Sequence, residues 1–182
     1  AYWHDRDLLA AAIADFPDVE LKDETRDIST FLVTGPKSRD LLASVCNTNF
    51  SSDTFPWLTH QTLQIAGVTC VAIRVSFTGE LGWELHIPVA ETQKIYDHLR
   101  EAGSAFQLKP FGMLALDSMR LEKGYRSWKG DLTSDYNMFD AGLRRWVHFS
   151  KPDFTGRAAL AAVKDAPART LVTLAVEDPS DS

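Results

Sequence analysis

The 182 residues include 19 Lys and Arg against 25 Asp and Glu, a formal net charge of −6, with 45% hydrophobic and 24% charged residues. These proportions are ordinary for a globular protein, and a chain this long buries roughly 70% of its unfolded surface, so it needs no covalent staples. With no basic tail or Lys/Arg run, nucleic acid is excluded as a partner, because phosphate neutralisation needs a clustered positive face.

No stretch approaches the 18 apolar residues of a transmembrane helix. The opening Ala-Tyr-Trp-His-Asp-Arg-Asp has no signal-peptide pattern. It also lacks an initiator Met, as a processed or excised segment would. Cys46 and Cys70 stand in unrelated contexts, so no CxxC site exists and a reducing, cytoplasmic compartment is expected.

Leu8, Leu9, Ala12, Ile13 and Phe16 have helical spacing, which predicts a helix over 5–16 ended by Pro17. Phe31 and Val33 alternate within a strand over 29–34. Gly35-Pro36 then turns into a helix over 36–45, with Pro36 near its first position. Strands over 62–65 and 68–75 flank Ala66-Gly67 as a hairpin. In 83–88, Trp83, Leu85 and Ile87 point one way and Glu84 and His86 the other. A helix over 91–102 is expected to stop at Gly103. Another spans 110–123, with Gly124 just past its end. A last helix over 154–164 and a last strand over 171–176 precede a polar tail. Hairpins mixed with helices, without strict βαβ alternation, predict an α+β fold with helices on one face of a largely antiparallel sheet.

The sequence contains no GxxxxGK[ST], GxGxxG, HExxH or GxSxG, so phosphate cradles, dinucleotide fingerprints, zincins and nucleophile elbows are unsupported. The five histidines have no ligand spacing, and no metal site is expected. Three segments stand out. In Phe77-Thr78-Gly79-Glu80-Leu81-Gly82-Trp83-Glu84-Leu85, two glycines bracket a sharp link into a strand. Glu84 then faces away from Trp83 and Leu85. A fixed carboxylate can accept two parallel N–H bonds from a pterin-like edge, although a solvated strand position is the ordinary assignment for such a residue. In Ala115–Trp128, Asp117 and Arg120 share a helical face that leads into an aromatic- and arginine-containing loop. Asp140, beside Gly142, reads as the cap of a structural turn. The five tryptophans are expected mostly in the core or at interfaces.

Taken together, these segments resemble the aminomethyltransferase (glycine-cleavage T-protein) family, and most closely its dimethylglycine and sarcosine dehydrogenase branch. Thr78-Gly79-Glu80-Leu81-Gly82-Trp83-Glu84 is similar to the TGExGxE element. Leu116-Asp117-Ser118-Met119-Arg120-Leu121-Glu122-Lys123-Gly124 is similar to the D-S-L-R-L-E-x-G helix. Asp140–Leu143, Phe154–Leu160 and Gly35–Ser38 resemble the E-A-G-L, F-x-G-x-x-A-L and Q-G-P-x-[AS] elements. The resemblance implies a ferredoxin-like antiparallel sheet and a tetrahydrofolate site. It places the pterin-reading carboxylate on Glu84, the aromatic beside the pterin on Phe77 and a pocket-lining residue on Tyr125.

The implied chemistry moves a one-carbon unit from an aminomethyl or iminium donor to N5 of tetrahydrofolate, which is mainly a matter of proximity and orientation. The implied ligands are folate and an amine or methyl donor, with FAD only where a fused dehydrogenase domain lies outside this chain. Departures from the pattern include Phe77, which lacks the usual hydroxyl, and Leu116, where T-proteins carry Arg. Arg145 stands where an aromatic follows E-A-G-L. No residue matches the family's catalytic aspartate, so catalytic residues stay unassigned. Residues 1–150 are expected to form the central folate-binding region. Residues 151–182 would begin a C-terminal region whose barrel starts near Arg169. With partner segments absent, exposed apolar surface and self-association are expected. A non-catalytic folate-binding or scaffold relative and a folate-dependent demethylase remain alternatives. The scaffold branch's K-G-C-Y-x-G-Q-E element does not occur.

Overall fold

Gly82–Pro88 forms the strand that its alternation predicts, with Trp83, Leu85 and Ile87 fully buried and Glu84 and His86 half-exposed. This computed structural model describes residues 2–175. The chain divides into two compact units: residues up to Ser76 with Glu80–Pro110, and Phe77–Gly79 with the chain from Phe111 onward.

The first unit contains α1 (Tyr2–Ile13), β1 (Ile28–Thr34), α2 (Ser38–Val45), β2 (His60–Ile65), β3 (Val68–Ile73), β4 (Gly82–Pro88) and α3 (Thr92–Gly103). Its strands form one sheet in the order β1-β4-β3-β2, antiparallel at every step. Ala66 and Gly67, both at positive φ (50° and 76°), make the tight β2–β3 turn. Two left-handed residues match the twist of the flanking strands. Val33, Leu63, Ile65, Val68, Cys70, Ala72 and the three buried β4 residues line one face. α2 covers it with Leu41 and Leu42, and α3 with Ile95 and Leu99. Each large apolar side chain so buried contributes about 1.5–3 kcal/mol. The expected α+β architecture, with an antiparallel sheet and helices packed on one face, is what the chain forms.

Several boundaries differ from the sequence reading. α1 starts and ends earlier than expected and buries no residue, so its apolar spacing serves no face of this unit. The helix over 36–45 begins at Ser38, because Pro36 and Lys37 form the turn before it. α3 ends at Gly103, as expected, but Gly103 is right-handed (φ −65°) and is not the cap. The left-handed residue is Gln107 (φ 61°), after a further 3₁₀ turn. Leu108 N–H then donates to the Gly103 carbonyl (2.9 Å) and Gln107 N–H to that of Ser104 (3.3 Å). This 6→1 and 5→2 pair is a Schellman ending. Gly103 is needed because a Cβ there would sit 2.4 Å from Leu108 Cδ2 and 2.6 Å from its Cβ. Gly103→Ala is therefore expected to lower stability by about 1–3 kcal/mol, the range for overpacking, measured by urea denaturation.

The second unit contains α4 (Met113–Lys123) and α5 (Arg157–Val163), joined by a long irregular segment with a 3₁₀ turn at Arg144–Trp146. α4 ends as predicted on Gly124 (φ 75°): Tyr125 N–H bonds the Arg120 carbonyl (2.8 Å) and Gly124 N–H that of Leu121 (2.9 Å). The expected strand from Leu171 does not form over 171–175. Leu171 N–H is taken by the Asp140 carbonyl (3.0 Å), a loop group rather than a neighbouring strand. Val176 and the tail lie outside the described residues. The tryptophans also depart from expectation. Trp83 alone among them is buried, while Trp3, Trp57, Trp128 and Trp146 are exposed.

Candidate functional site

The face of the sheet opposite α2 and α3 carries Glu84. Across the register it stands beside Leu32 of β1 and Ile73 of β3, and His86 stands beside Thr30 and Val71. His60, opposite Ile73, lies one strand further out. A carboxylate and an imidazole thus project from β4 on a face whose flanking positions are three aliphatic residues and a threonine. The Glu84 side chain is 40% exposed and that of His86 31%. His86 Nε2 lies 3.4 Å from Glu84 Oε2, and its Nδ1 lies 3.5 Å from Thr30 Oγ1. Glu84 is therefore a half-exposed carboxylate on a central strand of the sheet.

Phe77 and Tyr125 belong to the second unit and come together there. Their rings stack at 6.5 Å between centroids with 22° between planes. Gly79, beside Phe77, has φ 82°, and a Cβ there would meet the stem of Lys123 at 2.5 Å. Only glycine fits, which fixes the path of the Phe77 segment along α4.

The loop carrying Tyr125 is held by Arg120, 6% exposed. Its guanidinium bonds Asp117 (2.7 Å), the Tyr125 carbonyl (3.0 Å) and Asp131. Asp131 Oδ2 also accepts the Ser127 N–H (2.9 Å). That backbone N–H, followed by the charge and bonds of Arg120, holds the Asp131 carboxyl below its ordinary value against the opposing effect of burial. Asp140, 7% exposed, accepts the N–H of Asn137 and of Arg169 (both 3.2 Å). It closes a turn, as the sequence suggests, and does no visible chemistry.

His86 as the neighbour of Glu84 is legible in the two-residue period. Thr30 is not, because it enters only through the β1–β4 register. Asp131, eleven residues from Arg120, likewise carries no local sequence signal. A cavity of about 280 Å³ in the first unit, lined by Gly35, Lys37, Leu41, Phe106 and Leu108 among others, holds none of the three expected ligand residues. Among the described residues no cluster of His, Cys, Asp or Glu could hold a metal ion. Burial pushes the Cys70 thiol up to about 11, so it is a poor nucleophile near neutral pH.

The model of the GCVT N-terminal domain matches residues 2–151. The chain belongs to this family. It is 37% identical over 155 residues to a mitochondrial dimethylglycine dehydrogenase of Rattus norvegicus, covering 85% of this chain and 18% of that protein. It is 40% identical over 161 residues to a mitochondrial sarcosine dehydrogenase of Homo sapiens, covering 87% and 18%. An aminomethyltransferase of Chlorobaculum tepidum is 31% identical over 173 residues, covering 95% and 47%. The chain thus spans under a fifth of the length of the dehydrogenase relatives and about half that of the aminomethyltransferase. A solved heterotetrameric sarcosine oxidase from Corynebacterium sp. U-96 aligns with a TM-score of 0.49 and 22% identity, over 58% of this chain and 52% of that one.

Proposed function

We propose that this chain is a tetrahydrofolate-binding module that takes part in one-carbon transfer from an aminomethyl or iminium donor, as a part of an aminomethyltransferase or a dimethylglycine or sarcosine dehydrogenase. The observation that supports this reading best is Glu84: an acceptor-only carboxylate, half-exposed on a central strand and flanked by Leu32 and Ile73. A flat heteroaromatic ring with adjacent ring and exocyclic N–H donors fits such a place, its donors on the carboxylate and its faces on aliphatic surface. The residues present therefore suit the pterin edge. Phe77 and Tyr125 are proposed as further aromatic contacts of the ligand.

When bound, tetrahydrofolate supplies the nucleophilic N5 that takes up the one-carbon unit. The part played by this chain is orientation. Glu84 sets the in-plane rotation of the ring and so constrains where N5 points. Position and orientation account for much of the rate when two reactants meet in one site. Flavin enters the proposal only through segments other than these residues, whose sequence lacks the GxGxxG fingerprint.

The test is calorimetric titration of the full-length protein with tetrahydrofolate under reducing conditions. Glu84→Ala should weaken binding by about 1.5–3 kcal/mol, the range for hydrogen bonds to a charged group. Unchanged affinity with an intact fold would remove Glu84 from the site. Phe77→Ala and Tyr125→Ala test their assignments separately. Folate binding without transfer from any amine donor would make the module non-catalytic.

A further inference from the structure

We propose that His86 is the positioning residue of Glu84, a role that rests on the folate reading of Glu84 and deepens it. The argument starts from what surrounds the pair. Glu84 and His86 are two residues apart on β4 and share its open face. The positions opposite them on the adjoining strands are Leu32, Thr30, Val71 and Ile73, none of which carries a charge. His60, beyond Ile73 on β2, is the other ionisable side chain on that face in the register. Directly across the strands that flank it, Glu84 faces Leu32 and Ile73, and the polar side chain recorded against it among the described residues is His86.

The imidazole is itself oriented. Its Nδ1 lies 3.5 Å from Thr30 Oγ1, which stands opposite it across the β1–β4 pair. In the tautomer where the Thr30 hydroxyl donates to Nδ1, the imidazole proton sits on Nε2, since a neutral imidazole has one donor and one acceptor nitrogen. Nε2 is shielded from solvent, has no aligned hydrogen-bond partner among the described residues, and lies 3.4 Å from Glu84 Oε2. The distance is already that of a contact, and what is missing is alignment. Rotation about the terminal torsion of a glutamate is soft, so turning the carboxylate plane closes the bond.

A bound pterin edge would enforce such a turn, because two parallel N–H donors dictate the plane of the carboxylate they share. A carboxylate has about four lone-pair sites. The ligand edge takes one on each oxygen and His86 takes a third without competing. Thr30, His86 and Glu84 then form a chain that locks the flexible glutamate in its reading position once the ligand has turned it, as outer-shell partners do for metal ligands.

The experiment is the tetrahydrofolate titration repeated on full-length His86→Leu, His86→Gln, Glu84→Ala and the Glu84→Ala/His86→Leu double variant, with thermal melts as the folding control. Leucine suits a face already built from Leu32, Val71 and Ile73, so His86→Leu should melt near wild type. Its affinity should fall roughly three- to tenfold, the loss of one hydrogen bond. His86→Gln, whose amide N–H reaches the place of Nε2, should recover to within about twofold. In the Glu84→Ala background, His86→Leu should add nothing. Wild-type affinity in His86→Leu, or an additive loss in the double variant, would overturn the positioning role while leaving Glu84 in the site. Glu84→Ala with wild-type affinity would instead remove the folate reading itself. Should His86→Leu fail to fold, a folded His86→Gln that binds as weakly as Glu84→Ala overturns the proposal, and near-wild-type binding supports it.

Discussion

Trp83→Ala is expected to destabilise the protein by about 3–5 kcal/mol, the range for deleting a large aromatic from a packed core. Trp83 is fully buried near the start of β4, with Phe50 edge-on at 5.3 Å, Phe55 at 6.1 Å and the Arg74 guanidinium over its ring at 5.9 Å. Arg74 is tied in turn to the Phe55 carbonyl (2.6 Å), so this corner cannot collapse easily into the space left behind. Aromatic pairs of this geometry add about 0.5–1.5 kcal/mol each beyond area burial. Trp83→Phe separates the two ends of the indole. Its Nε1–H is buried and has no hydrogen-bond partner among the described residues. A desolvated donor of that kind costs about 1–3 kcal/mol. Phenylalanine removes that cost while leaving a smaller hole, so it should lie closer to wild type than to the alanine variant in urea denaturation. Equal losses in the two variants would show that the packing of the whole indole decides and that the buried N–H carries no such cost.

The same strand shows where sequence patterning reaches its limit. The two-residue period of 83–88 told which side chains point inward, and Ala66-Gly67 and Gly124 marked a turn and a helix end, because each rests on local backbone sterics. Gly103 marked the end of α3 correctly but not its role there, for a non-local reason. Its missing side chain makes room for Leu108, and the left-handed role passes to Gln107. α1 has the apolar spacing of a packed helix yet buries nothing, since periodicity reports a face and not its partner. At the candidate site, the facing of Glu84 was legible and its surroundings were not. Leu32, Ile73 and Thr30 reach it only through strand register, which the sequence does not state. The tryptophans were over-assigned to the core. Trp57, Trp128 and Trp146 lie in turns and irregular segments and are exposed.

The loop after α4 offers a pH test whose sign is fixed by Asp131. Its carboxyl is held below the ordinary 3.8, chiefly by the Ser127 N–H and then by Arg120. A group with a depressed folded-state value stabilises the fold above its unfolded value and loses that contribution as pH falls through the folded one. Asp131→Asn keeps an acceptor for Ser127 but removes the charge facing Arg120. Its melting deficit relative to wild type should be present at pH 7 and shrink below about pH 3.8. A deficit of equal size at pH 2.5 and pH 7 would mean that the charge does not stabilise the loop. Arg120→Leu should be the more damaging change, because it strips a donor from Asp117, Asp131 and the Tyr125 carbonyl together. Arg120→Lys should not rescue it, since a single ammonium cannot reproduce the fork that spans three acceptors. The loop it leaves loose is the one that carries Tyr125 against Phe77. If Tyr125 contacts the ligand, Arg120→Lys should therefore weaken tetrahydrofolate binding even where the protein still melts cooperatively.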